Sequence, residues 1–123
     1  AHSIRSRVPR LFDGELPQFN IGTNSGRSCA ARLTQAIEAI CATTPYSRTT
    51  DGRFKGGYIT RHYGRPQNGV HALQMELACR GYLREPAEPP CEANWPAAYD
   101  APYAAPLKSV LMRVLQGCVD FAG

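Results

Sequence analysis

No apolar run in this sequence of 123 residues approaches the ~18 that a membrane-spanning helix needs, and the amino end, Ala1-His2-Ser3-Ile4-Arg5, lacks a signal peptide's apolar stretch. Neither an export signal nor a membrane partner is therefore expected. Cys-x-x-Cys spacing is also missing. The five cysteines, Cys29, Cys41, Cys79, Cys91 and Cys118, are odd in number and widely spaced. That argues against a disulfide framework or a structural zinc cluster and for reduced thiols in a cytoplasmic protein. The three histidines, His2, His62 and His71, never stand as His-x-x-x-His or His-Glu-x-x-His, so their spacing alone supports no metal site. Internal repeats and low-complexity tracts are lacking too, apart from one cluster of prolines.

What remains is an ordinary globular composition, 43% hydrophobic and 20% charged. Residues 1–123 read as a single domain that buries roughly two-thirds of its unfolded surface. The formal charge of +4 is lopsided. Residues 1–65 hold ten Lys/Arg against four Asp/Glu, while residues 66–123 hold four against six. A basic half implies an anionic partner, either a polyanion or a small molecule held by a few arginines.

Along the chain, residues 1–26 are rich in turn formers, with one extended piece at Phe19-Asn20-Ile21-Gly22. Leu33, Ile37, Ile40 and Cys41 repeat at helical spacing, which predicts a helix over 28–42 with Ser25 or Ser28 as cap and Thr43-Thr44-Pro45 as stop. After glycines 56 and 57, the β-prone residues up to Tyr63 predict a strand over 57–63. Alternation predicts another over 70–79, with Leu73, Met75, Leu77 and Cys79 on one face and Val70, Ala72, Gln74 and Glu76 on the other. Six of the ten prolines lie between Pro86 and Pro106, so an extended loop is expected there. Leu107, Val110, Leu111, Val114, Leu115 and Cys118 then predict a closing helix over 103–121, weakened by Gly117.

Chemistry-bearing side chains concentrate between Gly56 and Glu76. Arg61 and Arg65 lie four apart, and their guanidinium forks suit a small dicarboxylate or a phosphate, although solvated arginines at an element's end would have the same spacing. His62 sits between them. Glu76 stands in an apolar run, where an unpaired carboxylate costs several kcal/mol. It is either salt-bridged to an arginine or working as a metal ligand or general base. His71 reads as a packing histidine, and His2 by default as part of a mobile terminus.

The segment Asp51-Gly52-Arg53-Phe54-Lys55-Gly56-Gly57-Tyr58-Ile59-Thr60-Arg61-His62-Tyr63-Gly64-Arg65-Pro66, with Gly69-Val70-His71-Ala72-Leu73-Gln74-Met75-Glu76-Leu77-Ala78, closely resembles the N-formylglutamate amidohydrolase (N-formylglutamate deformylase) family. So do the opening Ala1-His2-Ser3-Ile4-Arg5-Ser6 and the stretches Pro9 to Pro17 and Asn20 to Asn24. The resemblance implies an α/β hydrolase, a partial three-layer sandwich forming the carboxy-terminal half of a zinc-carboxypeptidase-like fold (phosphorylase/hydrolase-like). Its implied reaction releases formate from N-formyl-L-glutamate in histidine breakdown. On the same ground His2 is implied as a metal ligand, Glu76 as the catalytic glutamate, and Arg61, Arg65 and His62 as binders of the substrate's carboxylates. The cofactor implied is zinc, which polarises a carbonyl and acidifies its bound water.

Family members are longer, and the part they have beyond this resemblance supplies a further histidine and an acidic ligand, for which this chain offers no candidates. The resemblance thus implies a fragment with little activity alone, and an apolar sheet surface favouring self-association or a partner chain. Two readings of other classes stand beside it. One is a small basic module holding single-stranded nucleic acid through Phe54, Tyr58, Tyr63 and the arginines. The other is a non-catalytic structural remnant. Because one imidazole cannot hold zinc against water, calorimetric titration of the 123-residue chain with zinc should show no tight one-to-one binding.

Overall fold

The computed structural model describes residues 1–123. Four strands form one mixed sheet in the order β1-β4-β2-β3, where β1 is His2–Ile4, β2 Phe19–Gly22, β3 Arg48–Thr50 and β4 Gln74–Ala78. β1 runs parallel to β4, β4 antiparallel to β2, and β2 parallel to β3. The ends of β2 and β3 therefore meet the beginnings of β1 and β4 at one end of the sheet. Three helices complete the fold: α1 (Ala31–Ala42), α2 (Tyr58–Tyr63) and α3 (Ala101–Ala122). The α/β class expected from the sequence is the class observed.

Period-two alternation divides the sheet into an apolar and a polar face. Phe19, Ile21, Met75 and Leu77 point to the apolar face and are buried with Leu33, Ile37 and Cys41 of α1 and Leu107, Val110 and Val114 of α3. This is one core, between the sheet and two helices. The opposite face carries Asn20, Gln74 and Glu76, and Asn20 and Glu76 are buried there as well. Beyond β1 the sheet has a free edge, and a groove lined by Ser3, Leu77, Tyr82, Leu107 and Leu111 runs beside it.

Several boundaries depart from the sequence expectation. α1 starts at Ala31 rather than at 28, and neither Ser25 nor Ser28 caps it. Ser28 instead donates its hydroxyl to the Ala72 carbonyl at 2.7 Å, tying the chain before α1 to the approach to β4. The stop is as expected, with the hydroxyls of Thr43 and Thr44 closing on the carbonyls of Ile40 and Cys41 at 2.7 Å each. α3 begins inside the proline-rich segment, because the Asp100 carboxylate accepts from the Tyr103 N–H at 3.0 Å and Pro102 occupies the first turn, where no N–H is needed. It continues through Gly117, where a Cβ would lie 2.9 Å from Ile40, so that glycine permits close packing on α1. Leu115, expected in the apolar stripe, is 59% exposed.

The largest correction concerns 57–63. This segment is not a strand but the short helix α2. Its β-prone residues have no neighbouring strand to pair with, and the flanking glycines serve close approach instead. A Cβ on Gly56 would lie 2.7 Å from Thr60, and one on Gly64 only 2.5 Å from Ser28. Thr60 is the residue α2 buries, while Tyr58, Ile59 and Tyr63 are exposed. The strand expected over 70–79 is confined to Gln74–Ala78, because 70–73 is occupied in bridging Arg65 and bonding to Ser28. His71 packs as expected, its Nδ1 accepting from the Ala30 N–H at 3.2 Å and its ring edge-on to Phe121.

Ile37, fully buried where α1 meets the sheet, tests the core. Ile37→Ala should lower stability by about 2–5 kcal/mol in urea unfolding, with an unchanged denaturant slope.

Candidate active site

Strand register brings together two residues that are 74 positions apart in sequence. His2 is the β1 partner of Glu76 on β4, and Asn20 on β2 is the partner of Glu76 on the other side. Directly paired residues point to the same face, so His2, Glu76 and Asn20 form one row across the sheet. Glu76 is only 7% exposed, whereas His2, on the edge strand, is exposed. Burial pushes the Glu76 carboxyl above its ordinary value, while the charge of His2 and a hydrogen bond from Gln74 pull partly the other way. Asn20 donates its amide to the carbonyls of Pro17 and Glu76 at 2.8 and 3.2 Å, and its Oδ1 has no protein partner.

The salt-bridge reading of Glu76 is not what the structure contains. The three salt bridges are Arg7–Glu15, Arg80–Glu15 and Arg84–Asp100, partly exposed, and none of them includes Glu76. Glu76 instead accepts at Oε2 from the Gln74 side-chain amide at 3.1 Å. The carboxylate is thus buried beside an imidazole and held by a neutral donor rather than by a cation.

Arg61 stands on α2, and Arg65 lies two residues beyond its end, where it bridges Val70. Arg61 Nη1 donates to the Gly56 carbonyl at 2.7 Å. Arg65 Nη1 donates to the carbonyls of Arg61 and Gly64 at 3.1 and 2.7 Å, closing the end of the helix. His62 lies stacked on Tyr58, with ring centroids 4.8 Å apart, and edge-on to Tyr63 at 4.7 Å. α2 as a whole is fastened to the sheet, because the Gly57 N–H donates to Gln74 Oε1 at 2.7 Å. The loop before it lies against β2, where a Cβ on Gly22 would sit 2.7 Å from the backbone of Lys55 and Gly56.

Sequence reasoning gave no role to Gln74, Asn20, Thr23 or Asp51. The first two carried a readable signal, since they are polar residues on the Glu76 face of alternating strands. Thr23 and Asp51 carried none, because their pairing joins the loops that follow β2 and β3. Thr23 donates its N–H to Asp51 Oδ1 at 2.8 Å and its hydroxyl to Oδ2. This clamp holds three non-glycine residues with left-handed backbone, Asn24, Ser25 and Asp51, at φ of 52°, 56° and 51°. Such conformations cost about 1–3 kcal/mol each and cluster where a fold spends stability on a site.

The donor set does not by itself make a zinc centre. No group of three or more His, Cys, Asp or Glu side chains converges anywhere in the chain, and the His2 row offers one imidazole with one carboxylate.

A sequence profile of the N-formylglutamate amidohydrolase family matches residues 1–83, which include His2, α2 and Glu76. The chain belongs to this family. An N-formylglutamate deformylase from Pseudomonas aeruginosa is 50% identical over 117 residues, covering 94% of this chain and 41% of that protein. One from Pseudomonas putida is 55% identical over 86 residues, covering 69% and 32%. The chain thus spans less than half the length of these relatives. The crystal structure of an N-formylglutamate amidohydrolase from Ralstonia eutropha JMP134 shares the fold, with a TM-score of 0.67 at 19% identity over 85% of this chain and 34% of that one.

The Thr23–Asp51 clamp sets a pH dependence. Burial raises the proton affinity of Asp51, but the two hydrogen bonds from Thr23, with one from the Ser25 N–H and the charge of Lys55, together outweigh it and hold the carboxyl below its ordinary 3.8. A lowered folded value stabilises the fold above pH 3.8, and that contribution disappears as pH falls through the lower value. Thr23→Val should lower the Tm at pH 7 and flatten its fall between pH 4 and 2, measured by thermal scans.

Proposed function

We propose that this chain contributes the glutamate base, one metal-ligand histidine and the carboxylate-binding residues of an amidohydrolase that converts N-formyl-L-glutamate and water to formate and L-glutamate. The observation that carries the reading is the pairing of His2 with Glu76 on a polar sheet face, both inside the segment that matches the family profile. In this reading a Glu76 carboxylate oxygen takes a proton from the attacking water and passes it to the departing amine nitrogen. Its proton affinity, raised by burial, suits a group that must first accept and then donate. The substrate is a dianion at neutral pH, and the basic half of the chain supplies the complementary charge.

Arg61 is the first binder of a substrate carboxylate, because it stands where α2 is fastened to Gln74 and commits only one side-chain hydrogen bond to the backbone. Arg65 and His62 act beside it, the former already engaged with two carbonyls and the latter held between two tyrosines. Zinc belongs to the reading as a group that His2 helps to hold together with ligands from beyond these residues. We further infer a zinc-carboxypeptidase-like parent fold, a cytoplasmic location, a role in histidine breakdown, and low activity of this chain by itself. The relatives give no support to the single-stranded nucleic-acid alternative.

The test is a chimera in which this chain replaces the matching residues of the Pseudomonas aeruginosa relative. Formate release from N-formyl-L-glutamate should persist, fall about 10²–10⁴-fold with Glu76→Gln, and show a raised KM with Arg61→Ala. Wild-type kcat in Glu76→Gln would sink the assignment of the base.

A further inference from the structure

Gln74 stands at the point where the helix, the sheet and the glutamate meet. It lies two residues before Glu76 on β4, so both side chains leave the same face of the strand. Both ends of its amide are engaged. Oε1 accepts from the Gly57 N–H at 2.7 Å, and Nε2 donates to Glu76 Oε2 at 3.1 Å. The first bond decides the second. A backbone N–H can only donate, so the oxygen of Gln74 must face Gly57 and its NH2 must face Glu76. The amide cannot flip without setting donor against donor and acceptor against acceptor.

We propose that Gln74 is a positioning residue for the proton-transfer step, a rigid spacer that uses the Gly57 main chain to aim the Glu76 carboxylate. This rests on the assignment of Glu76 as the base. One oxygen, Oε2, is occupied by the Gln74 donor, which leaves Oε1 to carry the proton between water and the leaving nitrogen. Gln74 touches neither and acts only through Glu76. Outer partners of this kind, which orient a reacting group, typically cost 10–100-fold when removed. The Gly57 bond has a second effect: because Arg61 binds the Gly56 carbonyl at 2.7 Å, the carboxylate-binding arginine and the base are referenced to neighbouring residues of the same backbone.

Gln74→Glu separates the roles. It keeps the volume and an acceptor for Gly57 but replaces the donor to Glu76 with a second carboxylate, so the uncharged Gln74→Met, which lacks the donor without adding charge, is its control. In the chimera, Gln74→Glu and Gln74→Met should each lower kcat about 10–100-fold with KM within about twofold. Added to Glu76→Gln either should cause no further loss, since a residue that acts through Glu76 has nothing left to position. Wild-type kcat in Gln74→Glu, with Glu76→Gln inactive, overturns this inference alone. Full activity of Glu76→Gln overturns the base assignment and this inference together. In the 123-residue chain itself, hydrogen exchange read by NMR should show the Gln74 side-chain amide protected, and Glu76→Leu should remove that protection while leaving the Gly57 amide protected. An unprotected Gln74 amide in the unsubstituted chain also overturns it.

Discussion

The pairing of β1 with β4 and of β4 with β2 puts an imidazole, a carboxylate and an amide in one row, and most of what is distinctive in this fold follows from the cost of burying the middle member. A carboxylate withdrawn from water raises its proton affinity unless it gains charge or donors. Here it gains a neutral amide and a neighbouring histidine but no arginine, and the net direction remains upward. A fold seeking stability alone would place an apolar residue in this position, as it does at Met75 and Leu77 on the other face. The apolar face makes the domain, and the polar face spends part of that stability on a site.

The same division explains why the backbone strain lies at one end of the sheet. Asn24 and Ser25 follow β2, and Asp51 follows β3, so all three left-handed residues lie where these strands end and β1 and β4 begin. The Thr23–Asp51 contact offsets their cost and joins two loops that the parallel pairing of β2 with β3 had already brought side by side. α2 is fixed to this end by Gln74 and by glycines that admit close backbone contact. Arg61, on α2, is thereby held close to the Gln74 end of β4.

Periodicity made much of this legible. The apolar stripe of α1, the alternation around Met75 and Glu76, and the extended piece at 19–22 were readable because side chains that share an environment recur at the spacing of their element. The 57–63 segment was not, because Tyr, Ile and Thr carry strand propensity only where a neighbouring strand exists to pair with, and here none does. The start of α1 was misplaced because Ser28 serves a long-range bond to Ala72 rather than a cap, which no local rule can express. Glu76 stood out as a charge in an apolar run, but its juxtaposition with His2 depends on parallel register across 74 residues. The resemblance carried His2, which chemistry alone would have left as a loose terminus.

Gly22 gives this arrangement its tolerance. Where any other residue would carry a methyl or more, the main chain at 55–56 rests almost directly on β2. That chain leads at once into Gly57, whose N–H fixes Gln74 and through it the carboxylate. The placing of the Glu76 carboxylate is therefore gauged by one hydrogen atom on the neighbouring segment, and natural variation at this spot has no room to proceed by small steps.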